Sequence, residues 1–279
     1  PEPVINEFSA STTGTDVEYV EIFGAADTNY SNYTALEIEG DGSGAGFIDE
    51  VMTVGTTDTN GLYLIDLPAN ALENGTISLL LVKDFTGAAG GDIDIDNDGV
   101  IDEPAPWSAL VDSVAVDDGD AGDIAYGTTV LVEYYDGLSF TPGGASRIPD
   151  GYDTDTVTDW VRNDFDLGGI EGHTGSLIVG EAYNTPGELN MVYTPPPEAC
   201  GDPYTPIYEI QGDGFSTPLD GDNLATEGIV VGDFQSGGKN GFFIQDKLGD
   251  GDPTTSDGIF VYAPGVMDVS VGDHVRVRG

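Results

Sequence analysis

The chain has 279 residues, with 7 Lys+Arg against 51 Asp+Glu and a formal net charge of −44. A surface of that sign repels phosphate, which disfavours direct binding to nucleic acid or to an anionic membrane over most of the molecule. Hydrophobic residues make up 39% of the chain, enough for folded cores, and the length suits two domains.

The 41 glycines, with abundant Thr, Val, Ile and Tyr and almost no helical period, predict an all-β protein of short strands and tight turns. A single cysteine, Cys200, makes no internal disulfide; it is a free thiol or half of a pair whose partner lies beyond Gly279. There is no signal peptide, apolar membrane span or lipidation motif. Such acidity is tolerated where calcium or salt screens it, so the expected location is outside the cell, secreted or on a bacterial surface.

Residues 3–10 (PVINEFSA) and 17–24 (VEYVEIFG) read as the first two strands across a Thr/Gly turn. In the second, Val17, Tyr19 and Glu21 share one face and Glu18, Val20 and Ile22 the other, which predicts partial burial on each side. Further strands are expected at 36–39, 61–67, 78–82, 113–116 and 130–134. That spacing suits a β-sandwich.

The stretch most committed to one chemistry is 91–104, GDIDIDNDGVIDEP. Asp94, Asp96, Asp98 and Gly99 match the opening D-x-D-x-D-G of a calcium loop, in which alternate side chains converge on a hard cation and the glycine allows a sharp turn. With Asp94 as position 1, the bidentate Glu expected at position 12 falls on Ala105. The loop would then close through Asp102, Glu103, a backbone carbonyl or water. Asp92, Asp94, Asp96, Asp98 and Asp102 are the candidate calcium ligands, and the alternative is a solvated acidic hairpin tip.

From 146 to 190 the pattern turns loop-rich, around Arg147, Asp150, Asp155, Trp160 and the closing Thr185-Pro186-Gly187, and predicts no regular strands. The segments VINEFSASTTGTDVEYVEIFG, SRIPDGYDTDTVTDWV and NTPGELN, in that order, resemble the start, late part and end of bacterial secreted lamin-tail domains. The aspartate loop followed by Trp107 and VDSVAV resembles an insertion in the secreted members. This resemblance implies an immunoglobulin-like β-sandwich over residues 1–192.

Pro195, Pro196 and Pro197 mark a semi-rigid linker, placed at 193–206. Beyond it IYEIQG precedes four strand patterns, TEGIVVGDFQ, GFFIQD, GIFVYAP and HVRVRG. These resemble the OB-like domain ahead of the catalytic domain in large secreted bacterial endonucleases of the endonuclease/exonuclease/phosphatase superfamily. An OB barrel has five strands, so residues 207–279 are expected to form a partial barrel with an open edge, in a fragment of a longer parent. The partner implied is a downstream catalytic domain of that parent.

Asp246, Asp250, Asp252 and Asp257 form a second carboxylate group in QDKLGDGDPTTSDG. Asp250 and Asp252 alternate correctly for calcium, as they also would in a charged hairpin that binds nothing. Catalytic chemistry finds no support: there is no G-x-S-x-G elbow, and His173 and His274 read as surface or edge residues. One Cys and two distant His make zinc an unfavoured reading. GDGSGAG and SGGKNG lack the strand and helix context of a phosphate cradle. Phe234, Phe242, Phe243, Phe260 and Tyr262 offer aromatic surface, but only Lys239, Lys247, Arg276 and Arg278 offer charge, which disfavours single-strand binding. The sequence therefore points to a calcium-stabilised, non-catalytic accessory region of a secreted nuclease. Its rival is a structural or adhesive calcium-binding surface protein with no enzyme domain.

Overall fold

The computed structural model describes residues 2–195, 199–214, 216–221, 223–236, 238–264 and 268–279. The chain divides into two compact units, Pro1–Pro195 and Pro196–Gly279. Both are all-β apart from short helical turns. Among the described residues no helix is long and apolar enough to cross a membrane.

The first unit is a sandwich of two five-stranded sheets. One comprises β1 (Val4–Ser9), β2 (Glu18–Phe23), β5 (Leu62–Leu67), β9 (Gly144–Arg147) and β10 (Trp160–Arg162), in the order β10-β9-β1-β2-β5. The other comprises β3 (Tyr33–Glu39), β4 (Ile48–Thr53), β6 (Ile77–Lys83), β7 (Ala109–Val116) and β8 (Val130–Leu131), in the order β4-β3-β6-β7-β8. All pairings are antiparallel except β7 with β8. Ile5, Phe8, Val20, Ile22, Ala145 and Trp160 from the first sheet meet Ala35, Met52, Leu79, Leu81, Val114 and Val116 from the second in one core.

Both sheets are covered on their outer faces as well, which overturns the expected half-burial of β2. Five of its six residues are buried. Val20 and Ile22 face the core, while Tyr19 and Glu21 bond to the segment after β10, with Tyr19 reaching Asn184 and Glu21 accepting from the Gly187 N–H. The outer face of the second sheet packs Leu36, Ile38, Leu80 and Val82 against Ile93 and Tyr126 of the β6–β7 and β7–β8 connections. A strand buried on both faces loses its alternation and reads as a continuous apolar run, as in SLLLV of β6.

Three expectations are corrected. The 146–190 stretch is not free of strands, because β9 ends within it and β10 lies inside it, both paired into the first sheet. Neither is a recognisable pattern; GASR is too short and too poor in β-branched residues, and Arg147 and Trp160 hold it through tertiary contacts. The strand expected at 130–134 stops at Leu131, and the chain then turns, with Tyr134 at φ 61°. The linker placed at 193–206 is shorter. Tyr193 N–H still bonds to Glu181, whereas Gly201, Asp202, Pro203 and Thr205 already bond to the second unit. Pro196 and Pro197 lie outside the described residues.

The second unit is an open four-stranded antiparallel sheet of β11 (Ala225–Phe234), β12 (Gly241–Gln245), β13 (Gly258–Tyr262) and β14 (His274–Arg278), in the order β13-β12-β11-β14. IYEIQ forms a short helix, α1 (Ile207–Gln211), in which Ile207 and Ile210, three apart, are both buried, Ile207 within the core of the sheet. Val230, Phe242 and Ile244 complete that core, and Ile259, Val261, Val275 and Val277 are only partly covered.

Candidate metal centre

The aspartate loop leaves β6 and runs beside the start of β4. Ile48 N–H bonds to the Gly91 carbonyl at 2.8 Å, Gly90 N–H to the Ile48 carbonyl at 2.7 Å, and Ile93 N–H to the Gly46 carbonyl at 2.9 Å. Ile93 is buried in the outer core and anchors the loop. Asp102 N–H closes it on the Ile93 carbonyl at 2.7 Å. Between these fixed points the chain turns back through Asn97 at φ 52° and Gly99 at φ 84°, so the glycine of the motif occupies a left-handed position that a side chain would strain.

Asp94 is fully buried. Its Oδ1 accepts the Asp98 N–H at 3.1 Å, and its Oδ2 accepts the Gly99 N–H and the Tyr126 hydroxyl, each at 2.9 Å. Burial pushes this carboxyl up, but those three donors, led by Gly99, outweigh it and hold Asp94 below the usual carboxylate range. Asp96 moves the other way, raised first by the charge of Asp98. Asp94, Asp96 and Asp98 each bring an oxygen within 4.8 Å of the others. Asp92 and Asp102 sit alongside with one oxygen each on the backbone, Asp92 Oδ1 on Asp94 N–H at 3.0 Å and Asp102 Oδ2 on Ile95 N–H at 2.9 Å. The donor set is all hard oxygen, mutually repulsive and preformed by a buried first aspartate, which fits a calcium-class ion.

The second predicted group is dispersed. Asp246 accepts the N–H groups of Leu248 and Gly249, Asp250 the Thr255 hydroxyl at 2.9 Å, and Asp252 the Thr254 hydroxyl at 2.7 Å. Each of these three carboxylates closes a local turn. Asp257 pairs with Asp246 through the backbone, its carbonyl accepting the Asp246 N–H at 2.7 Å, and its own Oδ1 is buried and unpartnered. Among the described residues these four do not converge.

Three clusters escape sequence reading because their members are remote along the chain. Glu39, Asp49 and Glu73 form one, and Asp41, Asp118 and Asp123 another. The third joins Cys200, Glu227 and His274, so the distance assumed between cysteine and histidine is a distance in sequence only. Glu227 is nonetheless already matched. Burial pushes its carboxyl up, yet the Gly201 N–H and Arg276, 3.0 Å away, hold it below the usual range.

The shifted carboxylates give stability without bound cation a defined pH profile. Asp94 and Asp159 are depressed, so their contribution exists above about pH 4 and is lost as pH falls through their folded values. Glu7, Glu21 and Glu37 are raised chiefly by burial, Glu21 to about 8 and Glu37 to about 9, so their contribution is complete below about pH 4.5 and lost as pH rises through those values. Thermal melts in chelator should therefore peak near pH 4–6 and fall towards pH 9. A maximum at pH 8 would contradict these environments.

No family model, curated protein or solved structure matches the chain.

Proposed function

We propose that this chain is a calcium-ordered, non-catalytic accessory region of an exported bacterial endonuclease. In this reading a lamin-tail-like sandwich and an OB-like module precede a metal-dependent catalytic domain in the same parent chain. The observation that carries the calcium part is Asp94, fully buried at the head of a preformed turn and grouped with Asp96 and Asp98. The nuclease part rests on the resemblance of EIQG, EGIV, GFFIQD and SDGIFVY to the OB-like domain of those secreted endonucleases. Its role there is to place and stabilise the enzyme outside the cell, and the charge of −44 keeps the region itself off nucleic acid.

A ligand that binds only the folded state stabilises it by mass action, by about 2.7 kcal/mol at a hundredfold excess over Kd. Saturating calcium should raise the melting temperature by several degrees over excess chelator, and D96N/D98N should lose the part of that gain owed to this loop. The same preparation should neither cleave DNA or RNA with any divalent metal nor retain DNA in calcium-free buffer. An unchanged melt in chelator, or cleavage abolished by mutation of a named aspartate in this chain, would overturn the reading.

One observation favours the rival, a calcium-stabilised adhesive or structural surface protein. Leu138, Phe140, Pro142, Phe165 and Ile178 line a groove of about 560 Å³ in the first unit, and Phe140 is 75% exposed. The parent reading frame separates the two: a downstream domain with metal-ligand and histidine motifs supports the nuclease, whereas further β-repeats or a cell-wall anchor support the rival.

A further inference from the structure

The turn after β8 holds its apolar side chains outward, and a buried cation fixes it there. Arg162, at the end of β10, donates from Nε and Nη2 to the two Asp136 carboxylate oxygens at 2.6 and 2.8 Å. It also donates to the carbonyls of Leu138, Ser139 and Phe140 at 3.1, 2.8 and 3.0 Å. Phe140 sits at φ 67°, a left-handed position that a phenylalanine keeps only under constraint, yet its ring lies in water. A buried arginine thus orders the backbone beneath an aromatic side chain that packs little against the fold.

Phe140 forms one wall of the groove of about 560 Å³, facing Leu138, Phe165 and Ile178. Phe165, Ile178 and the adjacent Val179 are each at least half exposed. Apolar side chains grouped in this way mark a contact surface, and the volume is that of a built ligand pocket. A smaller cavity of about 70 Å³ continues the groove across Thr141, Pro142, Gly143 and Phe165, which line both.

The charges around the groove select its occupant. Arg162 is matched by Asp136, which leaves Glu181 in the groove and Glu73 in the adjoining cavity. Residues 132–143 and 163–181, which carry the exposed apolar side chains, contain six acids and neither Lys nor Arg. A second copy of the chain would bring a like charge of −44 against this face, and anionic lipid is repelled for the same reason. A glycan needs polar partners, but Asn163, the amide in the lining, is already engaged, donating to Glu7 and accepting from Ser146.

We propose that this groove binds a peptide segment of another protein in which apolar or aromatic residues alternate with lysine or arginine. The apolar residues enter between Phe140, Phe165 and Ile178, and a cation meets Glu181, whose Oε2 is oriented by the Ile178 N–H at 2.8 Å. The rigid turn limits the ordering cost of binding. Such a surface serves an accessory region and an adhesive protein alike, and it needs neither the 94–98 loop nor a nuclease parent.

Random peptides displayed on phage should be panned on the immobilised full chain and counter-selected on F140S/I178S. Enriched peptides should then be synthesised and titrated by fluorescence anisotropy. The expected survivors combine Phe, Leu or Ile with Lys or Arg, and F140S/I178S should weaken them by at least about tenfold. Glu181→Gln should weaken them by about twofold to fivefold and flatten the dependence on salt. Both replaced apolar residues are exposed, so the variant keeps its core. Hydrogen exchange on wild type gives a readout independent of the variants, with bound peptide expected to protect residues 138–143 and 178–181. No survivor of counter-selection, survivors that are acidic or lack apolar residues, or an unaltered salt dependence in Glu181→Gln would overturn the proposal. So would dimerisation of wild type that F140S/I178S abolishes, or co-sedimentation with neutral phosphatidylcholine vesicles that it abolishes, each of which assigns the face to another occupant. D96N/D98N should bind the peptides as wild type does, so failure of the calcium loop and failure of this groove are told apart.

Discussion

Arg147→Met should cost the sandwich about 3–5 kcal/mol, because it strips the cation from a buried charge cluster and leaves its anions in place. The Arg147 side chain is 1% exposed. Its guanidinium lies 2.9 Å from Asp112, 3.0 Å from Asp153 and 3.5 Å from Asp159, donates from Nε to the Ile5 carbonyl at 2.8 Å and stacks 4.5 Å from the Trp160 ring. Asp112 in turn accepts the Ile5 N–H at 2.7 Å, so one ion pair joins β1, β7 and β9 across both sheets. Burial already raises the Asp112 carboxyl, and Arg147 is the main force opposing it. Urea denaturation should show the loss. Asp112→Asn added to Arg147→Met should return part of it, since the stranded anion is then gone. Arg147→Lys should fall well short of wild type, because an ammonium cannot keep the fork and the stacking together. A loss below about 1 kcal/mol for Arg147→Met would show that the cluster relaxes or takes in water.

Glu7→Ala should be nearly as damaging, at about 3 kcal/mol or more, with a different signature. The Glu7 carboxylate accepts the Tyr19 hydroxyl at 2.7 Å, Asn163 Nδ2 at 2.8 Å, and the N–H and hydroxyl of Thr185, each at 2.9 Å. Deleting it leaves four donors in a buried site, each bearing a desolvation cost. Three of those donors belong to the segment that covers the outer face of the first sheet. Hydrogen exchange should therefore show residues 163–190 losing protection before the sandwich core does. Uniform loss across the unit would mean that the cover and the core open as one.

Much of this architecture is visible in the chain itself. EYVEIF, LYLIDL and ISLLLVK carry strand composition that any packing would keep, and the aspartate loop is legible because its ligands are neighbours in sequence. What stays hidden depends on distant partners. β4 reads IDEVMT, too acidic to stand out as a strand, and becomes one by pairing with β3. β9 and β10 exist because Arg147 and Trp160 lock them. The turn of helix in IYEIQ appears only when a sheet receives Ile207 and Ile210. Cys200 and His274, read separately as an orphan thiol and an edge residue, share one cluster. Buried carboxylates are the hardest to anticipate, since with 51 acids nothing in the sequence marks which few turn inward.

The placement of β1 in the middle of its sheet also sets the order in which the first unit can assemble. One of its neighbours, β2, is made almost at once, but the other is β9, and the Arg147 to Ile5 bond that seals the pair spans 142 residues. Asn190 closes the same region by donating to the carbonyls of Asn6 and Arg147, the first of these across 184 residues. A nascent chain emerging from the ribosome thus carries the hairpin β1–β2 with one edge unpaired until nearly the whole unit has been translated. Native pairing of this range closes slowly, on the order of milliseconds to seconds for β-rich domains. The first-made strand of the sandwich is thus among the last to find its second neighbour.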